Sequence, residues 1–93
     1  MMKVYPTRNI IAPNEKELRI DGSLNFSITN QTNVTVVLDD FKVLPPNATI
    51  GYEVIPNGLY YHLMRVSYKT EELLEGESIT GNLILSETKI HND

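Results

Sequence analysis

The 93-residue chain contains no cysteine and no tryptophan, and it has only two histidines. Without cysteine, neither disulfides nor cysteine-ligated zinc can stabilise the fold. Stability must therefore come from apolar packing, and a hydrophobic content of 41% is typical of a globular domain. A chain of this length forms a single domain with one modest core. The absence of cysteine suits a reducing compartment and also a disulfide-free particle outside the cell, so the compartment stays open.

Long apolar runs and clusters of positive charge are also missing. No apolar run approaches the roughly 18 residues that a membrane-spanning helix needs, and residues 1–13 contain no stretch like that of a secretion signal. The formal net charge is -4, and the eight Lys and Arg residues are scattered. A nucleic-acid-binding domain would carry a basic patch instead. We therefore expect no membrane association, no export signal and no nucleic-acid partner.

Groups suited to catalysis or metal binding are scarce as well. The two histidines, His62 and His91, are not separated by a recognised metal-binding spacing. Asp39 and Asp40 are neighbours at a predicted strand end, where successive side chains point to opposite faces, so they are poorly placed to share a proton. No glycine-rich phosphate-binding loop is present. We therefore predict a protein that is not an enzyme, with no catalytic residue, no cofactor and no metal site.

What the sequence does contain is a series of short segments with alternating polar and apolar residues, separated by turn-forming residues. This pattern predicts a small all-β domain. Asp21-Gly22 favours a type I′ hairpin turn, and residues 41–47 are predicted to be a crossing loop because their two prolines cannot join a strand ladder. Residues 70–76 are predicted to form a single helical turn. Strands are predicted at residues 18–20, 23–29, 34–39, 50–55, 59–68 and 78–85, with turns at 30–33 and 56–58.

Residues 1–17 are the least regular part of the chain, and residues 18–93 are expected to form the folded β-sandwich domain. Pro6 and Pro13 each favour an extended backbone in the residue before them. Two interpretations of residues 1–17 remain open. They form either an edge strand that pairs with the sheet or an extended arm that reaches a neighbouring subunit.

The predicted core consists of apolar residues that share one face of these strands or anchor the loops between them. They are Leu24, Phe26, Ile28, Val34, Val36, Leu38, Leu44, Ile50, Tyr52, Val54, Leu74, Ile79, Leu83 and Leu85. Residues 43–51 also resemble residues 73–81, because each segment has an apolar pair that ends in leucine, then a turn, and then a glycine seven residues after that leucine. Either a shared loop geometry or chance similarity explains this repeat.

The segment 59–68 departs from clean alternation, since neither of its faces is cleanly polar. A strand in a sandwich needs only one buried face. The second face is therefore expected to contact either this chain's own N-terminal stretch or another chain. Tyrosine and arginine are enriched at protein–protein contacts. The candidate interface residues are Tyr60, Tyr61, Arg65 and Tyr68.

Residues 26–38, FSITNQTNVTVVL, and the following Val43-Leu44-Pro45-Pro46-Asn47 resemble segments of immunoglobulin-like β-sandwich modules. The matching features are an I-x-N turn, a V-T-V strand and an L-P-x-x loop, and the resemblance covers roughly residues 24–85. The Cys and Trp of antibody domains are absent, so the resemblance implies the architecture alone. The implied fold is all-β, a single immunoglobulin-like antiparallel β-sandwich of about seven strands.

The short, cysteine-free chain, rich in Asn, Thr and Ile, also resembles in style the small virion proteins of crAss-like tailed phages, namely auxiliary capsid proteins and head-fibre bases. This resemblance implies a structural protein that is made in the host cytoplasm, resides in the virion and binds capsid or neighbouring virion proteins. A different class of function stays open: a soluble module that binds carbohydrate or a peptide strand through Tyr60, Tyr61 and Tyr68. Fold resemblance alone does not decide between them.

Overall fold

A computed structural model describes residues 2–56 and 58–92. Met1, Asn57 in the predicted 56–58 turn, and Asp93 at the end of the predicted domain lie outside the described residues. Strands make up 57% of the chain, and the described residues contain no α-helix. The predicted all-β class, the antiparallel pairing and the number of about seven strands are confirmed. The described strands are β1 (Met2–Ile11), β2 (Glu17–Asn30), β3 (Val36–Leu38), β4 (Lys42–Leu44), β5 (Thr49–Tyr52), β6 (Tyr60–Tyr68) and β7 (Leu83–Asn92).

One continuous sheet joins the seven described strands in the order β1-β7-β2-β6-β3-β4, with β5 paired to β2. The long strand β2 connects the two halves of this sheet, because its residues 17–23 pair with β6 while residues 23–30 pair with β7. Buried apolar residues from both halves form one core cluster, so the halves pack against each other across it. The β-sandwich, and the immunoglobulin-like arrangement implied by the resemblance, stay predictions.

β2 changes partners at a bulge centred on Gly22. The hairpin predicted at Asp21-Gly22 is wrong, since β2 runs through this point as one 14-residue strand. Asp21 pairs with Tyr61 and Ser23 pairs with Tyr60, which leaves Gly22 as an extra residue. Gly22 has φ +76°, a conformation that glycine adopts without strain in either a type I′ turn or a bulge. The same local chemistry suits two structures, and pairing with β6 and β7 selects the bulge.

A buried carboxylate holds the chain at this bulge. Glu87 on β7 is 5% exposed, and Lys89 Nζ lies 3.0 Å from its Oε2. The hydroxyl of Ser23, itself fully buried, donates to the same oxygen. Lys89 also donates to the Asp21 carbonyl oxygen at 2.7 Å. The ammonium group compensates for the cost of burying the carboxylate, and the network ties β7 to both sides of the bulge.

Met2–Ile11 forms an edge strand that pairs with the sheet, which is the first of the two arrangements considered for residues 1–17. β1 pairs antiparallel with β7 along its whole length, from Met2 opposite Asn92 to Ile11 opposite Leu83. Pro6 is tolerated here because one side of an edge strand has no ladder partner to lose. With β2, these long strands account for an elongated molecule of 55 × 22 × 18 Å.

The predicted crossing loop at residues 41–47 is wrong in its first half, because β4 lies inside it and pairs with β3. The turn between these strands contains Asp39 and Asp40, which have φ angles of 51° and 67°. Aspartate tolerates such positive angles better than most residues, so a tight hairpin turn can form. The two prolines follow β4 and do not interrupt its pairing with β3.

The last part of the chain also differs from the prediction. The helical turn is a 3₁₀ turn at Thr70–Glu72, shorter than the predicted 70–76. The final strand begins at Leu83 rather than at residue 78. Residues 78–82 instead bond to the turn at 30–33, where Asn33 Nδ2 donates to the Ser78 carbonyl oxygen at 3.1 Å. Tertiary hydrogen bonds therefore replace a strand ladder in this segment.

The core draws on both halves of the sheet and agrees with most of the prediction. Val54 and Leu74, predicted as core, are 57% and 73% exposed because they lie in loops. Leu24, Ile50, Tyr52 and Ile79 are partly buried. The buried predicted residues are Phe26, Ile28, Val34, Val36, Leu38, Leu44, Leu83 and Leu85. The prediction missed the buried residues Leu18, Ile20, Met64, Val66 and Ile84.

Asn30, at the end of β2, satisfies loop backbone groups from inside the core. Its side chain is fully buried, and Nδ2 donates to the carbonyl oxygens of Val34 and Leu44, both at 2.8 Å. Its Oδ1 accepts from the backbone N–H and the hydroxyl of Thr32 at 2.9 and 2.6 Å. All four hydrogen-bonding positions of the amide are thereby used. The predicted turn at 30–33 is thus tied to β4.

Gly51 and Gly81 hold equivalent places in the sequence repeat but different places in the structure. Leu44 is buried whereas Leu74 is exposed, so the two loops do not share a geometry. Gly51 lies in β5, where an added Cβ would meet nothing within 4 Å. Gly81 has φ +83°, and its Cβ would lie 1.9 Å from the Gln31 carbonyl oxygen. Both the backbone angle and the close approach require glycine at position 81.

We expect Gly81→Ala to lower the free energy of unfolding by about 2–4 kcal/mol, because the strained φ and the backbone clash both act against it. Gly51→Ala is the matched control, and it should leave this free energy unchanged or raise it by up to about 1 kcal/mol. Urea denaturation followed by circular dichroism measures both effects. Equal effects of the two substitutions would contradict the backbone geometry at Gly81.

Candidate functional site

The strand β6 places the four predicted interface residues on two different faces. Tyr60 and Tyr68 lie on the face that packs against the core, and both are partly buried. Tyr61 and Arg65 lie on the opposite face and are exposed, Tyr61 by 68%. The four side chains therefore do not form a single surface.

The exposed face of β6 is not covered by the N-terminal stretch in the described residues. Met2–Ile11 pairs with β7 instead, and Leu63, between Tyr61 and Arg65, is 46% exposed. The connection after β1 reaches the other face, where the Tyr68 hydroxyl donates to the Ala12 carbonyl oxygen at 3.4 Å. Contact of the exposed face with another chain stays a prediction.

A cleft of about 330 Å³ opens between the two halves of the sheet, beside the β3–β4 turn. Phe26 and Met64, at 4% and 2% exposed, form its floor. Phe41, which is 77% exposed, and Tyr61 stand at its rim. We call it the aromatic cleft, because five of its eight lining residues are aromatic: Phe26, Phe41, Tyr52, Tyr60 and Tyr61, together with Asp39, His62 and Met64.

The walls of the aromatic cleft are packed against one another. The rings of Phe26 and Tyr52, which pair across β2 and β5, stack with their centroids 4.3 Å apart. Tyr60 meets Phe26 edge-on at 5.2 Å, and its hydroxyl donates to the Glu53 carbonyl oxygen at 2.5 Å. Stacked and edge-to-face contacts are both favourable for aromatic rings. The wall is therefore already formed in the free protein.

A compact set of charged groups lies at and beside the rim of the cleft, and two of them, Asp39 and His62, line it. Asp39 and Asp40 belong to the β3–β4 turn, and His62 and Arg65 belong to β6. Asp39 Oδ2 lies 2.6 Å from His62 Nε2, and Asp39 Oδ1 accepts the Arg65 backbone N–H at 2.9 Å. The Arg65 guanidinium pairs with Asp40. These contacts fix the turn against β6 and hold Asp39 at the cleft.

The pKa of the Asp39 carboxyl lies below its ordinary value of 3.8. Burial raises this pKa, but the hydrogen bond from the Arg65 N–H, the contact with His62 and the charge of Arg65 together lower it by more than burial raises it. The pKa of Tyr52 is raised, first by burial and then by the charge of Asp39 and by Tyr60. At neutral pH the cleft therefore holds a carboxylate near the neutral phenol of Tyr52.

A second depression adjoins the aromatic cleft at Tyr61. This loop groove, of about 540 Å³, is lined by Leu24, Val54, Ile55, Pro56, Gly58, Leu59, Tyr61 and Ile90. Val54 and Ile55 are 57% and 39% exposed. Together with Phe41, Tyr61 and Leu63, they form what we call the exposed apolar surface.

The cleft combines aromatic and apolar walls with two polar side chains, Asp39 and His62. Apolar and aromatic walls with a few polar groups are typical of ligand pockets. The described lining contains no Ser, Thr or Cys beside His62 to serve as the nucleophile of a catalytic triad. Among the described residues, no group of three His, Cys, Asp or Glu side chains is placed to hold a metal ion.

No protein-family model matches this chain, and no curated protein or solved structure is significantly similar to it. Over the part of the chain that is described, no helix is long and apolar enough to span a lipid bilayer. The function is therefore inferred from the geometry of the aromatic cleft and of the exposed apolar surface.

Sequence reasoning found Tyr60 and Tyr61 but missed most of the cleft. Phe41 falls in a predicted loop, and nothing in the local pattern places Asp39 beside His62, which is 23 residues away. One signal was available, because a large aromatic residue directly follows two turn-forming aspartates, at a place where a polar residue is usual. Such a residue indicates either a buried anchor or a contact surface, and the structure shows it exposed.

We expect Tyr60→Ala to lower the free energy of unfolding by about 2–4 kcal/mol, because it removes ring contacts and a hydrogen bond at a partly buried site. Tyr61→Ala should change it by less than about 0.5 kcal/mol, because the ring is 68% exposed. Urea unfolding of the isolated protein compares the two variants. Equal destabilisation would show that both rings are packed within the chain and would remove the basis for an interface at Tyr61.

The contacts of Asp39 should stabilise the fold at neutral pH and lose this effect in acid. Its folded-state pKa lies below the ordinary value of 3.8. Its contribution is therefore present above that value and disappears as the pH falls through the folded-state pKa. Asp39→Asn isolates the charge, since Asn also tolerates the positive φ of this turn. The stability difference between the two proteins should stay constant from pH 7 to about pH 5 and shrink as the pH falls below 3.8. A difference that stays constant in that acid range would contradict a role for the ionised carboxyl.

Proposed function

We propose that this protein is a non-enzymatic binding protein that docks its exposed apolar surface against another protein. The supporting observation is the clustering of Phe41, Val54, Ile55, Tyr61 and Leu63, which are 39% to 77% exposed. Four of the five line the two adjoining depressions. Contiguous exposed apolar patches mark interaction sites, because water contact with them is unfavourable.

Tyr61 is the best placed anchor on this surface. It lies where the aromatic cleft and the loop groove meet, and β6 is paired with β2 at this position. An added Cβ at Gly22 would lie 3.6 Å from the Tyr61 hydroxyl, so the ring rests over the β2 bulge. A tyrosine on a paired strand loses little conformational entropy on binding, and such residues dominate interface energies.

The setting predicted for this docking is a virion, in which the protein is an auxiliary capsid protein bound to capsid or neighbouring virion proteins. A small all-β chain with an exposed apolar surface supports such a role, because it would act by surface burial. An interface of standard size buries about 800 Å² on each partner. The virion location itself rests on the resemblance in style.

The alternative of carbohydrate binding on a tyrosine platform has less support. Such a platform needs its rings on one surface, whereas Tyr68 does not line the aromatic cleft that Tyr60 and Tyr61 share. The hydroxyls of Tyr60 and Tyr68 already donate to backbone carbonyl oxygens. Docking of another protein therefore accounts better for the exposed residues.

A photo-crosslinking amino acid at position 61 tests the docking in cells or particles that contain the natural partners. We expect one discrete cross-linked protein, identified by mass spectrometry. Position 43 is the matched control, because Val43 is 54% exposed but lines neither depression. It should give no discrete product. Adding Leu63→Ser should reduce the yield from position 61, because it removes a neighbouring apolar contact.

Equal yields and equally varied products from positions 61 and 43 would refute docking at this surface. Recovery of a capsid protein, together with abundance of this protein in purified particles, would support the virion setting. A discrete partner that is absent from particles would reject that setting and leave the docking itself supported.

A further inference from the structure

We infer that the aromatic cleft binds an organic ammonium group, such as the side chain of a lysine or of a methylated lysine on the docking partner. The inference rests on the proposed docking, since Tyr61 belongs both to the cleft and to the exposed apolar surface. Five aromatic side chains and the Asp39 carboxylate line a space of about 330 Å³. Aromatic rings attract a cation through their negative faces while also contacting its attached carbon atoms.

The ring geometry suits such a ligand. The plane of Tyr60 lies at 85° to that of Phe26 and at 71° to that of Tyr52. Because these three rings already contact one another, a cation would lie in the open cleft that they line together with Phe41 and Tyr61, where it can face one ring while its alkyl groups contact another. The contacts among the three rings exist without a ligand. Binding therefore requires little additional ordering.

Asp39 provides the charge that favours a cation. It is the sole carboxylate among the described lining residues, and its pKa is lowered despite partial burial. The Arg65 guanidinium pairs with Asp40 and is not among the lining residues, so it does not occupy the cleft. The Asp39 side chain remains 27% exposed beyond its contacts with His62 and the Arg65 N–H. A carboxylate has about four acceptor positions, so it can accept a hydrogen bond from a lysine ammonium, whereas a quaternary ammonium, which has no N–H, would be attracted by its charge alone.

Other classes of ligand fit less well. An anion would be repelled by Asp39, and a sugar needs several convergent hydrogen-bonding groups. The polar side chains at the rim, Asp39 and His62, already contact each other, and the Tyr60 hydroxyl is bonded to Glu53. A neutral apolar group would fill the cleft but would remove water from the exposed part of the Asp39 carboxylate without offering it any charge or donor in exchange, which is costly. An ammonium group can interact favourably with the faces of the rings and also with the negative charge of the Asp39 carboxylate.

Choline and 3,3-dimethylbutan-1-ol have the same shape and differ by one positive charge. NMR titration of the full chain with each compound therefore separates charge recognition from apolar filling. We expect choline to bind at least about tenfold more tightly than the alcohol, with shifts centred on the rings of the cleft. Titration with Nα-acetyl-lysine N-methylamide, whose side-chain ammonium is free, and with the same compound trimethylated at Nε then shows whether a free or a methylated lysine is preferred.

Asp39→Asn should lower the choline affinity about five- to tenfold and leave the affinity for the alcohol unchanged. Asp21→Asn is the matched control, because it removes an exposed carboxylate of β2 that does not line the cleft. It should leave both affinities unchanged. Phe41→Ala provides a second variant that retains the fold, since this ring is 77% exposed. It should weaken choline binding at least about threefold.

Equal affinities for choline and the alcohol would overturn the inference, as would equal effects of Asp39→Asn and Asp21→Asn. A lack of binding by every ammonium probe would overturn it as well. In each of these cases a discrete cross-link from position 61 would still support docking. Failure of the cleft as an ammonium site and failure of the docking surface are therefore distinguishable.

Discussion

The fold depends on the hydrogen bonds and ion pair that hold β2 where it changes partners at Gly22. The Glu87 carboxylate accepts a hydrogen bond from the Ser23 hydroxyl and forms an ion pair with the Lys89 ammonium, which also donates to the Asp21 carbonyl oxygen. A carboxylate that is 5% exposed is tolerated only with such partners. Only the observed register of β2 against β7 brings these partners to Glu87. A shifted register would leave the buried carboxylate unpaired, so the network favours this register over the alternatives. The bulge then directs the first half of β2 to β6 and the second half to β7 and β5.

The aromatic cleft follows from this division of β2. Phe26 lies beyond the bulge and pairs with Tyr52 of β5, whereas the residues before the bulge pair with β6, which carries Tyr60. Rings from the two halves of the sheet therefore meet at one side of the core. Paired strands position the walls, and the β3–β4 turn adds Asp39 and Phe41 at the rim. Sites on regular elements hold their geometry better than sites on loops, so the cleft is preorganised for a ligand.

Residue alternation was sufficient to predict much of β6 and part of the site. It placed Tyr60 and Tyr61 on opposite faces, and in the structure Tyr60 is partly buried whereas Tyr61 is exposed. Local rules were insufficient where one pattern suits two structures. Asp21-Gly22 suits both a hairpin turn and a bulge, and the prolines after Leu44 concealed the short strand β4. In each case the choice depends on a strand partner that lies far away in the sequence.

The sequence by itself determined the all-β class, the approximate positions of most strands and the apolar face of several of them. These properties follow from the period of two along a strand and from turn chemistry, which are local. Only the tertiary structure decided that Glu87 is buried beside Lys89, that Gly81 abuts the Gln31 carbonyl oxygen, and that Asp39 meets His62. Such contacts depend on which strands pair and in which register, because a side chain's own neighbours in sequence carry no information about the distant groups that pairing places next to it.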